Sequence, residues 1–250
     1  MNIEQKDRLI IFSKEQFVLK LYHLEGDLYR IRITDYDKLD SKSQMDANTF
    51  FKAYCATNSI QILTEEHKPE NAFLIEMGFS IYRSKFLFRK NLEKPIDVAY
   101  TLEYKSIQDV SEALFLDIFE KSVMDYEESD GLNGKEYFNF LKELAEDKYD
   151  EKSWYIVCNE NIPIGVLLPQ VFADNEKEGT VFFIGLIKEY RNKRFATEMH
   201  LKGLNDLYSK GVATYYGSTL ISNYAMIQVF HKNGCDVEAT QNYFSISGIV

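Results

Sequence analysis

The sequence predicts an α/β protein in which short strands and helices follow one another through most of the chain. Two observations support this prediction. Short apolar segments, several of which alternate with polar residues, are separated by turns rich in Asn, Asp and Gly, as strands are. Other segments repeat their apolar residues at close to the helical period. At 250 residues, the chain is long enough for one large core or two small ones.

The composition is that of a globular protein and argues against a membrane-spanning, secreted or metal-binding one. The chain is 45% hydrophobic and 27% charged, as globular proteins are. It has no apolar run near the roughly 20 residues of a membrane span, and the first residues lack the apolar core of a secretory signal. Cys55, Cys158 and Cys235 are far apart, and neither they nor the four histidines show metal-ligand spacing. We therefore expect a cytoplasmic protein with no metal and no membrane partner. The net charge of −10 argues against nucleic acid as a partner.

The N-terminal part, residues 1–94, is predicted to be a small α/β domain. A strand over 59–63 leads to a helix over 69–77, which begins at a proline. A second alternating strand follows over 81–88. A boundary is indicated near 90–95, so residues 95–250 form the second domain.

The second domain is predicted to contain a three-stranded meander between two pairs of helices. The predicted strands cover residues 98–104, 154–158, 164–172, 180–187, 216–219 and 243–246. The predicted helices cover 111–123, 134–147 and 223–233, and a further helix begins directly after the strand 180–187, with Met199, Leu201, Leu204 and Leu207 close to the helical period. Asn223 caps the last helix and Gly234 ends it. The polar runs 125–130 and 174–178 are interpreted as solvated loops. The alternative is that they line a site that attracts amines.

A basic turn joins the strand 180–187 to the helix that follows it. The turn carries Lys188, Arg191, Lys193 and Arg194. A helix that begins directly after a strand points its first free N–H groups at one place, and those groups and the helix dipole favour an anion such as a phosphate or pyrophosphate. The alternative is an ordinary connection with a solvated basic face.

The turn resembles the acyl-CoA-binding motif of the GNAT N-acyltransferase superfamily. That motif reads Arg/Gln-x-x-Gly-x-Gly/Ala and follows a strand that ends in Gly-Val. Arg191 and Ala196 fall in register with it, and Gly185 and Leu186 precede it. Arg194 stands where the family usually has its first glycine, which lets the backbone approach the pyrophosphate closely. An arginine there either adds a phosphate contact or obstructs one.

A second stretch resembles the strand and helix that come next in the family. The helix pattern Asn-x-x-Ala/Met…Tyr/Phe-x-Lys-x-Gly-Phe is matched by Asn223, Met226, Phe230, Lys232 and Gly234, although Cys235 replaces the last aromatic. The resemblance covers about residues 97–250. It implies the GNAT acyl-CoA N-acyltransferase fold, an α/β fold whose mixed, mostly antiparallel central sheet is flanked by helices, here with a smaller α/β N-terminal domain.

The resemblance implies an acetyltransferase that moves an acetyl group from acetyl-CoA, its cosubstrate, directly to a primary amine of a small molecule or peptide. Pantetheine would lie along the strand before the turn, and the turn would hold the pyrophosphate. The cofactor-binding residues would be Leu186, Ile187, Arg191, Asn192, Lys193, Arg194, Phe195, Ala196, Thr197, Asn223 and Phe230. Whether the protein forms a homodimer is left open.

Catalytic residues are harder to assign. Many GNAT proteins have at the position of Phe230 a tyrosine that protonates the departing thiolate. Phenylalanine cannot donate a proton, so His231, Tyr224 or water would replace it, and packing alone is the other role of Phe230. Glu178 is the candidate general base, with a charge in a hairpin turn as its alternative. We expect His200 to be a core or helix-surface residue.

The N-terminal domain resembles the last strand, helix and strand of the same fold. Asn71, Met77, Gly78 and Phe79 fit that pattern, but no basic turn precedes it. We read the segment as a degenerate half-GNAT, and an unrelated extension is the alternative. Arg194 and Phe230 also leave open a rival function, a catalytically inactive CoA-binding protein with a sensing or regulatory role.

Overall fold

The computed structural model describes residues 2–6, 9–14, 17–25, 28–35, 38–124 and 132–246. The chain forms two compact units, one of residues 1–86 and 239–250 and one of residues 87–238. It enters the second unit within a long strand and returns to the first within its last strand. The predicted loop 125–130 lies outside the described residues. The domain boundary predicted between residues 94 and 95 differs from this division and stays a proposal.

The first unit contains strands around two helices. Its strands are β1 (Asn2–Lys6), β2 (Leu9–Lys14), β3 (Phe17–Glu25), β4 (Leu28–Thr34), β5 (Gln61–Glu65) and the start of β6 (Phe79–Asn91), and its helices are α1 (Ser41–Thr57) and α2 (Pro69–Glu76). The end of β12 (Asp236–Ile246) belongs to it as well. The strand order is β1-β2-β3-β4-β5-β12-β6. The first four strands form antiparallel hairpins, and β4 pairs with β5 in parallel.

The core of the first unit is formed by every second residue of its strands and by one face of helix α1. Phe17, Leu19 and Leu21 alternate with more exposed residues along β3 and are almost fully buried. On α1, Phe51 packs its ring against Phe12 of β2 at 5.4 Å between centroids. The sequence-based prediction named no element before residue 59, so β1 to β4 and α1 are additions from the structure.

The second unit contains the predicted pairs of helices and the meander. Its remaining elements are β7 (Glu103–Ser106), α3 (Glu112–Val123), α4 (Gly134–Ala145), β8 (Tyr155–Asn159), β9 (Ile162–Val171), β10 (Glu178–Leu186), α5 (Phe195–Ser209), β11 (Thr214–Leu220) and α6 (Tyr224–Lys232). Its strand order is β6-β11-β10-β9-β8-β7. The ladders β7–β8, β8–β9 and β9–β10 are antiparallel, and β10–β11 is parallel. The α/β class and the mixed sheet flanked by helices are confirmed.

The strand predicted over 98–104 is wrong in its bounds, because β7 begins only at Glu103. Side chains of α5 satisfy the backbone of the preceding residues instead of a neighbouring strand. The Glu198 carboxylate accepts hydrogen bonds from the backbone N–H groups of Thr101 (2.8 Å) and Leu102 (2.7 Å). Asn205 accepts from the N–H of Ile96 at 2.7 Å. Tertiary contacts thus replace the ladder that the apolar pattern suggested.

The other differences are small. The last strand begins at Asp236, seven residues before the predicted 243–246. Across the described residues, no helix has both the length and the apolar character that crossing a membrane requires.

Candidate active site

A cleft opens between β10 and β11 in the second unit. Both strands lie within the described residues, and their parallel ladder consists of two pairs, Glu178–Thr214 and Gly179–Tyr215. Beyond the second pair the ladder stops and a cavity of about 710 Å³ lies between the strands. It is lined by residues 181–186 of β10, by Tyr215 and residues 218–220 of β11, by the start of α5, and by α6. The cleft is thus closed near Tyr215 and extends toward the C-terminal end of β10.

The wall formed by β10 contains a β-bulge. Val181 pairs with Pro169 and Phe183 with Leu168, so Phe182 is the extra residue. A bulge bends its strand and re-aims the groups around it. Strands β9 and β10 approach each other closely at Gly165 and Gly185, because a Cβ built on Gly165 would overlap the carbonyl oxygen of Gly185.

The turn after β10 leaves the start of α5 without a side-chain cap. Arg194 is the N-cap residue of α5, and its side chain makes no capping hydrogen bond. The first backbone N–H groups of a helix have no partner within the helix. Ala196 and Thr197, in this first turn, line the cleft, and the Thr197 N–H donates to the carbonyl oxygen of Arg194 at 3.2 Å. The turn therefore presents donors and the positive end of a helix dipole to the cavity.

Arg191 is anchored by main-chain carbonyl groups. Its Nε donates to the carbonyl oxygen of Leu186 at 3.0 Å, and its Nη2 donates to that of Met124 at 2.9 Å. A guanidinium has five N–H donors, so these two bonds leave others for a ligand. Arg191 thus joins the end of β10 to the residue that follows α3, and it also lines the cleft.

The cleft is cationic although the chain carries a net charge of −10. Its described lining residues include Arg191, Arg194 and Lys232 and no carboxylate. The rest of the lining is apolar or carries neutral polar groups, such as the hydroxyl of Thr219, a residue that is 2% exposed. A long ligand with a phosphate at one end and an uncharged arm fits this distribution.

Comparisons with known proteins agree with this geometry. No family model matches the chain, and no curated protein does. Solved structures do match. A GCN5-related N-acetyltransferase from Sphaerobacter thermophilus has a TM-score of 0.68 at 10% identity, over 94% of this chain and 78% of that one. The chain has the fold of the GCN5-related N-acetyltransferases, the GNAT fold.

Two further GNAT structures match over nearly the whole chain. A tandem GNAT protein from the clavulanic acid biosynthesis pathway, solved without AcCoA, has a TM-score of 0.60 at 11% identity, over 91% of this chain and 78% of that one. A GNAT-family acetyltransferase from Colwellia psychrerythraea has a TM-score of 0.60 at 9% identity, over 96% and 85%. These matches extend through the N-terminal unit, whose strands and helices from β2 to β6 follow the order of β8 to β12.

The structure brings most of the predicted cofactor-binding residues to one cleft. The lining includes Leu186, Arg191, Asn192, Arg194, Ala196, Thr197, Asn223 and Phe230. Their roles toward a ligand stay predictions. Asn223 also caps α6, because its Oδ1 accepts from the N–H of Met226 at 3.2 Å, so its Nδ2 is the group left for a ligand.

Three predicted cofactor-binding residues are not among those that line the cleft. Ile187 donates its N–H to the carbonyl oxygen of Ile164 at 2.9 Å and packs against a buried cluster. Phe195 packs against another cluster of the same unit. Lys193 is exposed, with its Nζ 5.1 Å from the ring centroid of Tyr190. The roles of these three residues toward a ligand stay predictions.

The predicted catalytic residues are not all at one place. Phe230 lines the cleft, is 2% exposed, and stacks on Phe88 with 4.3 Å between ring centroids. His231 is exposed and sets its ring edge against Phe88 at 5.4 Å. Glu178 lies in the first ladder pair of β10, below the closed end of the cleft, and is not in its lining. The catalytic roles of Glu178 and His231 stay predictions, because neither residue lines the cleft.

The sequence-based prediction missed Tyr215, which lines the closed end of the cleft and is 1% exposed. Its hydroxyl lies 3.0 Å from Nε2 of His200. His200 is a core residue with no exposed surface, in line with the expectation for it. Tyr215, Gly217 and Thr219 are buried and share one face of β11, but the sequence has no alternation of apolar and polar residues there that could have identified Tyr215.

Proposed function

We propose that the protein is an acyl-CoA-dependent N-acyltransferase that transfers an acetyl group from acetyl-CoA directly to a primary amine of a small molecule or peptide. The observation that carries this proposal is the cleft between two diverging parallel strands, which ends at an uncapped, cationic helix start. The GNAT fold supports it. The N-terminal unit is proposed to be a degenerate copy of the same fold.

The turn and its cations suit the charged end of acetyl-CoA. The backbone N–H groups at the start of α5 would take the pyrophosphate, as helix starts do for phosphates. Arg194 and Lys232 add positive charge at the cleft. Each exposed cation contributes only about 0.3–1 kcal/mol, so we expect the set of backbone donors to dominate binding.

The arm of acetyl-CoA would lie along the gap between β10 and β11. Edge-like strands that lack a partner present backbone donors and acceptors to an extended ligand. The bulge at Phe182 re-aims backbone groups close to the closed end, where a main-chain N–H would polarise the thioester carbonyl. Stabilising the developing oxyanion in this way contributes several kcal/mol to catalysis.

The chemistry needs few side chains because the thioester is already activated. The amine nitrogen attacks the carbonyl carbon, the C–N bond forms and the C–S bond breaks. The products are an amide, the CoA thiolate and one proton, which passes to solvent. Holding both substrates in the right geometry then supplies much of the rate. An alkylammonium near pKa 10 must lose its proton before it attacks.

The first test is isothermal titration of the protein with acetyl-CoA and with CoA, followed by an assay of thiol release over a panel of amines. We expect micromolar binding and release that depends on the amine. Binding without amine-dependent release would instead indicate a non-catalytic CoA-binding protein. No binding at millimolar ligand would contradict the proposal.

Charge reversal at the cleft gives a matched control. Arg194→Glu and Lys232→Glu should each weaken acetyl-CoA binding by about tenfold, because each places a carboxylate beside the phosphates. Lys152→Glu makes the same change in net charge at an exposed lysine outside the lining. Equal effects from all three variants would mean that the cleft is not the binding site. Arg191 is unsuitable for this test because its side chain also anchors two backbone carbonyl groups.

A further inference from the structure

The β3–β4 hairpin of the first unit carries three cations and one tyrosine close together on one face of the sheet. Lys20 pairs with Arg32, and Tyr22 pairs with Arg30. Directly opposite residues of an antiparallel pair lie on the same face, with their Cα atoms about 4.5–5.5 Å apart, and two residues along a strand cover about 6.8 Å. The four side chains therefore leave the sheet within a small area, and we refer to these four residues as the hairpin block.

The hairpin block lies on the face of the sheet that the helices of the first unit do not cover. Leu19 and Ile31 alternate with the block along their strands and are at most 9% exposed. They share a core cluster with Phe51 of α1 and Leu74 of α2, so both helices pack on the other face. The four side chains of the block are instead exposed or half-buried.

The three cations of the block have no counterion among the described residues. No ion pair joins any of them to a carboxylate there. Glu65 of the neighbouring strand β5 follows the last β4–β5 ladder pair and forms its ion pair with Lys68 at 3.2 Å. Glu4 of β1 is separated from Lys20 by the whole of β2, which is roughly 10 Å for two strand spacings.

This arrangement of charges opposes the stability of the hairpin. Lys20 and Arg32 are directly opposite each other, and like charges in that position are destabilising. Arg30 adds a third positive charge two residues from Arg32. All three lie within a Debye length of about 8 Å, so salt does not fully screen their repulsion. An anion that contacts all three cations would remove it.

The acidity of the whole chain does not exclude an anionic partner at this face. Residues 1–86 and 239–250 contain 12 basic and 13 acidic residues, whereas residues 87–238 contain 17 basic and 26 acidic ones. Nearly all of the net charge of −10 therefore belongs to the second unit. The expectation against nucleic acid used the charge of the whole chain, and it does not extend to the first unit.

Tyr22 provides an aromatic surface beside the cations. Its side chain is 37% exposed, and its ring has no aromatic or cationic partner among the described residues. The ring of Tyr243, by contrast, has Lys85 Nζ at 5.4 Å from its centroid. An exposed aromatic ring binds a nucleobase by stacking, and cations next to it bind the phosphates of the same strand. A lipid headgroup or an acidic peptide would use the cations and leave the ring unexplained.

We propose that the hairpin block binds a single-stranded nucleic acid, with one base stacked on Tyr22 and neighbouring phosphates bound by Lys20, Arg30 and Arg32. One strand carries a negative charge about every 3.4 Å along its axis, so a block of this length meets two or three phosphates. Stacking accepts every base, and we expect little sequence preference. The inference concerns the first unit and does not depend on the acyltransferase function proposed for the second.

Salt dependence measures the number of phosphate contacts. Fluorescence anisotropy of a labelled oligo(dT) strand of about twelve nucleotides is recorded with the full chain between about 20 and 200 mM salt. Each phosphate contact contributes about 0.7 to the slope of log K against log salt concentration for a single strand, so three contacts predict a slope of about −2. A slope near zero, or no binding at the lowest salt concentration, would overturn the proposal.

The double variant Arg30→Gln/Arg32→Gln tests the cations, with Lys42→Gln/Lys52→Gln as the matched control. The control removes the same charge from two exposed residues of α1, on the other face of the sheet. We expect the arginine variant to bind oligo(dT) about tenfold or more weakly at low salt and to reduce the slope by about 1.4. Its Tm should not fall, because the repulsion is relieved. Equal losses in both double variants would contradict a site at the hairpin block.

Substitutions of Tyr22 test the stacked base. Tyr22→Leu should weaken oligo(dT) about fivefold or more without changing the salt slope, because stacking on an aromatic ring is lost. Tyr22→Phe keeps the ring and should retain the affinity. Unchanged binding by Tyr22→Leu would mean that charge alone is recognised. Displacement of the strand by polyglutamate as readily as by unlabelled oligo(dT) would point to an acidic protein partner, and either result would overturn nucleic acid as the ligand.

CoA distinguishes the hairpin block from the cationic cleft of the second unit. We expect saturating CoA to leave oligo(dT) binding unchanged, and Arg30→Gln/Arg32→Gln to leave the titration with acetyl-CoA unchanged. Displacement of the strand by CoA, together with an equal loss in Arg194→Glu, would place the strand in the cleft and overturn the proposal. Failure of acetyl-CoA to bind would contradict the proposed function alone.

Discussion

Arg194 has a backbone conformation that its residue type disfavours, and this makes its replacement informative. Its φ is 67° and its ψ is 7°, in the left-handed region. For a residue with a Cβ that region costs roughly 1–2 kcal/mol, whereas glycine adopts it readily. This explains physically why the resembling motif has glycine here. Arg194→Gly and Arg194→Ala both remove the guanidinium, but only the glycine relieves the backbone.

The magnitude follows from comparing the two variants with each other. Arg194→Gly should be more stable than Arg194→Ala by at least about 1 kcal/mol from the left-handed φ, and the N-cap preference for glycine over alanine acts in the same direction. For a chain of this size, 1 kcal/mol corresponds to about 2–4 °C in Tm. Trp154, the one tryptophan of the chain, is fully buried in the same unit, so its fluorescence reports the relevant unfolding.

Acetyl-CoA binding by Arg194→Gly and Arg194→Ala separates the effect of the backbone conformation from the effect of the lost charge. Both variants lose one cation, so each should bind about 2–5-fold more weakly than the unaltered protein if Arg194 contacts phosphate. A tighter complex for Arg194→Gly alone would show that the strained backbone limits the approach of the pyrophosphate. Equal Tm values for the glycine and alanine variants would refute the strain argument, and tighter binding by both would show that the guanidinium obstructs the site.

Three further changes test the second unit. His200→Gln should flatten the acid dependence of stability: the folded-state pKa of about 3 lies below the unfolded value near 6.5, so unfolding takes up a proton and the unaltered protein loses up to about 1.4 kcal/mol per pH unit between pH 6.5 and 3. Gly165→Ala should cost about 1–3 kcal/mol in denaturant unfolding, because the new methyl group overlaps the Gly185 carbonyl. Gln170→Leu should cost a similar amount, because the buried Trp154 Nε1–H, which donates to Gln170 at 3.2 Å, loses its acceptor.

Local signals explain which elements could be predicted from the sequence. The helix 223–233 was recognisable because its cap and its end are local features: Asn223 accepts from Met226 N–H, and Gly234 has a φ of +70°. The strand over 98–104 was wrong because its backbone partners are side chains of α5 that lie about 100 residues later. An apolar pattern does not reveal such a partner.

The site was predictable in part for the same reason. The basic turn and the start of α5 are adjacent in sequence, so their convergence followed from one strand-to-helix connection. The hydrogen bonds from Asn233 to His200 and from His200 to Tyr215 join three separate elements, and no spacing in the sequence indicates them. The predicted strand over 216–219 did not include Tyr215, so the predicted elements offered no reason to place this residue beside the cleft.

The helix that follows the three-stranded meander begins differently in the two units. In the second unit, the helix that follows the meander begins at Arg194 without a side-chain cap. In the first unit, the corresponding helix α1 is capped by Asp40, whose carboxylate accepts from the N–H groups of Lys42 at 3.0 Å and Ser43 at 2.9 Å. The donors that a phosphate would need are occupied, and a negative charge stands where the anion would lie.

This difference makes the start of α5 a better place for an anion than the start of α1. A phosphate at α1 would have to displace Asp40, which also accepts from the hydroxyl of Ser43 at 3.0 Å, and would meet its charge as repulsion. At α5 the same approach meets a helix start that no side chain caps, together with the cation of Arg194. Under the proposed function, we therefore expect acetyl-CoA to bind to the second unit, which would then be the catalytic one.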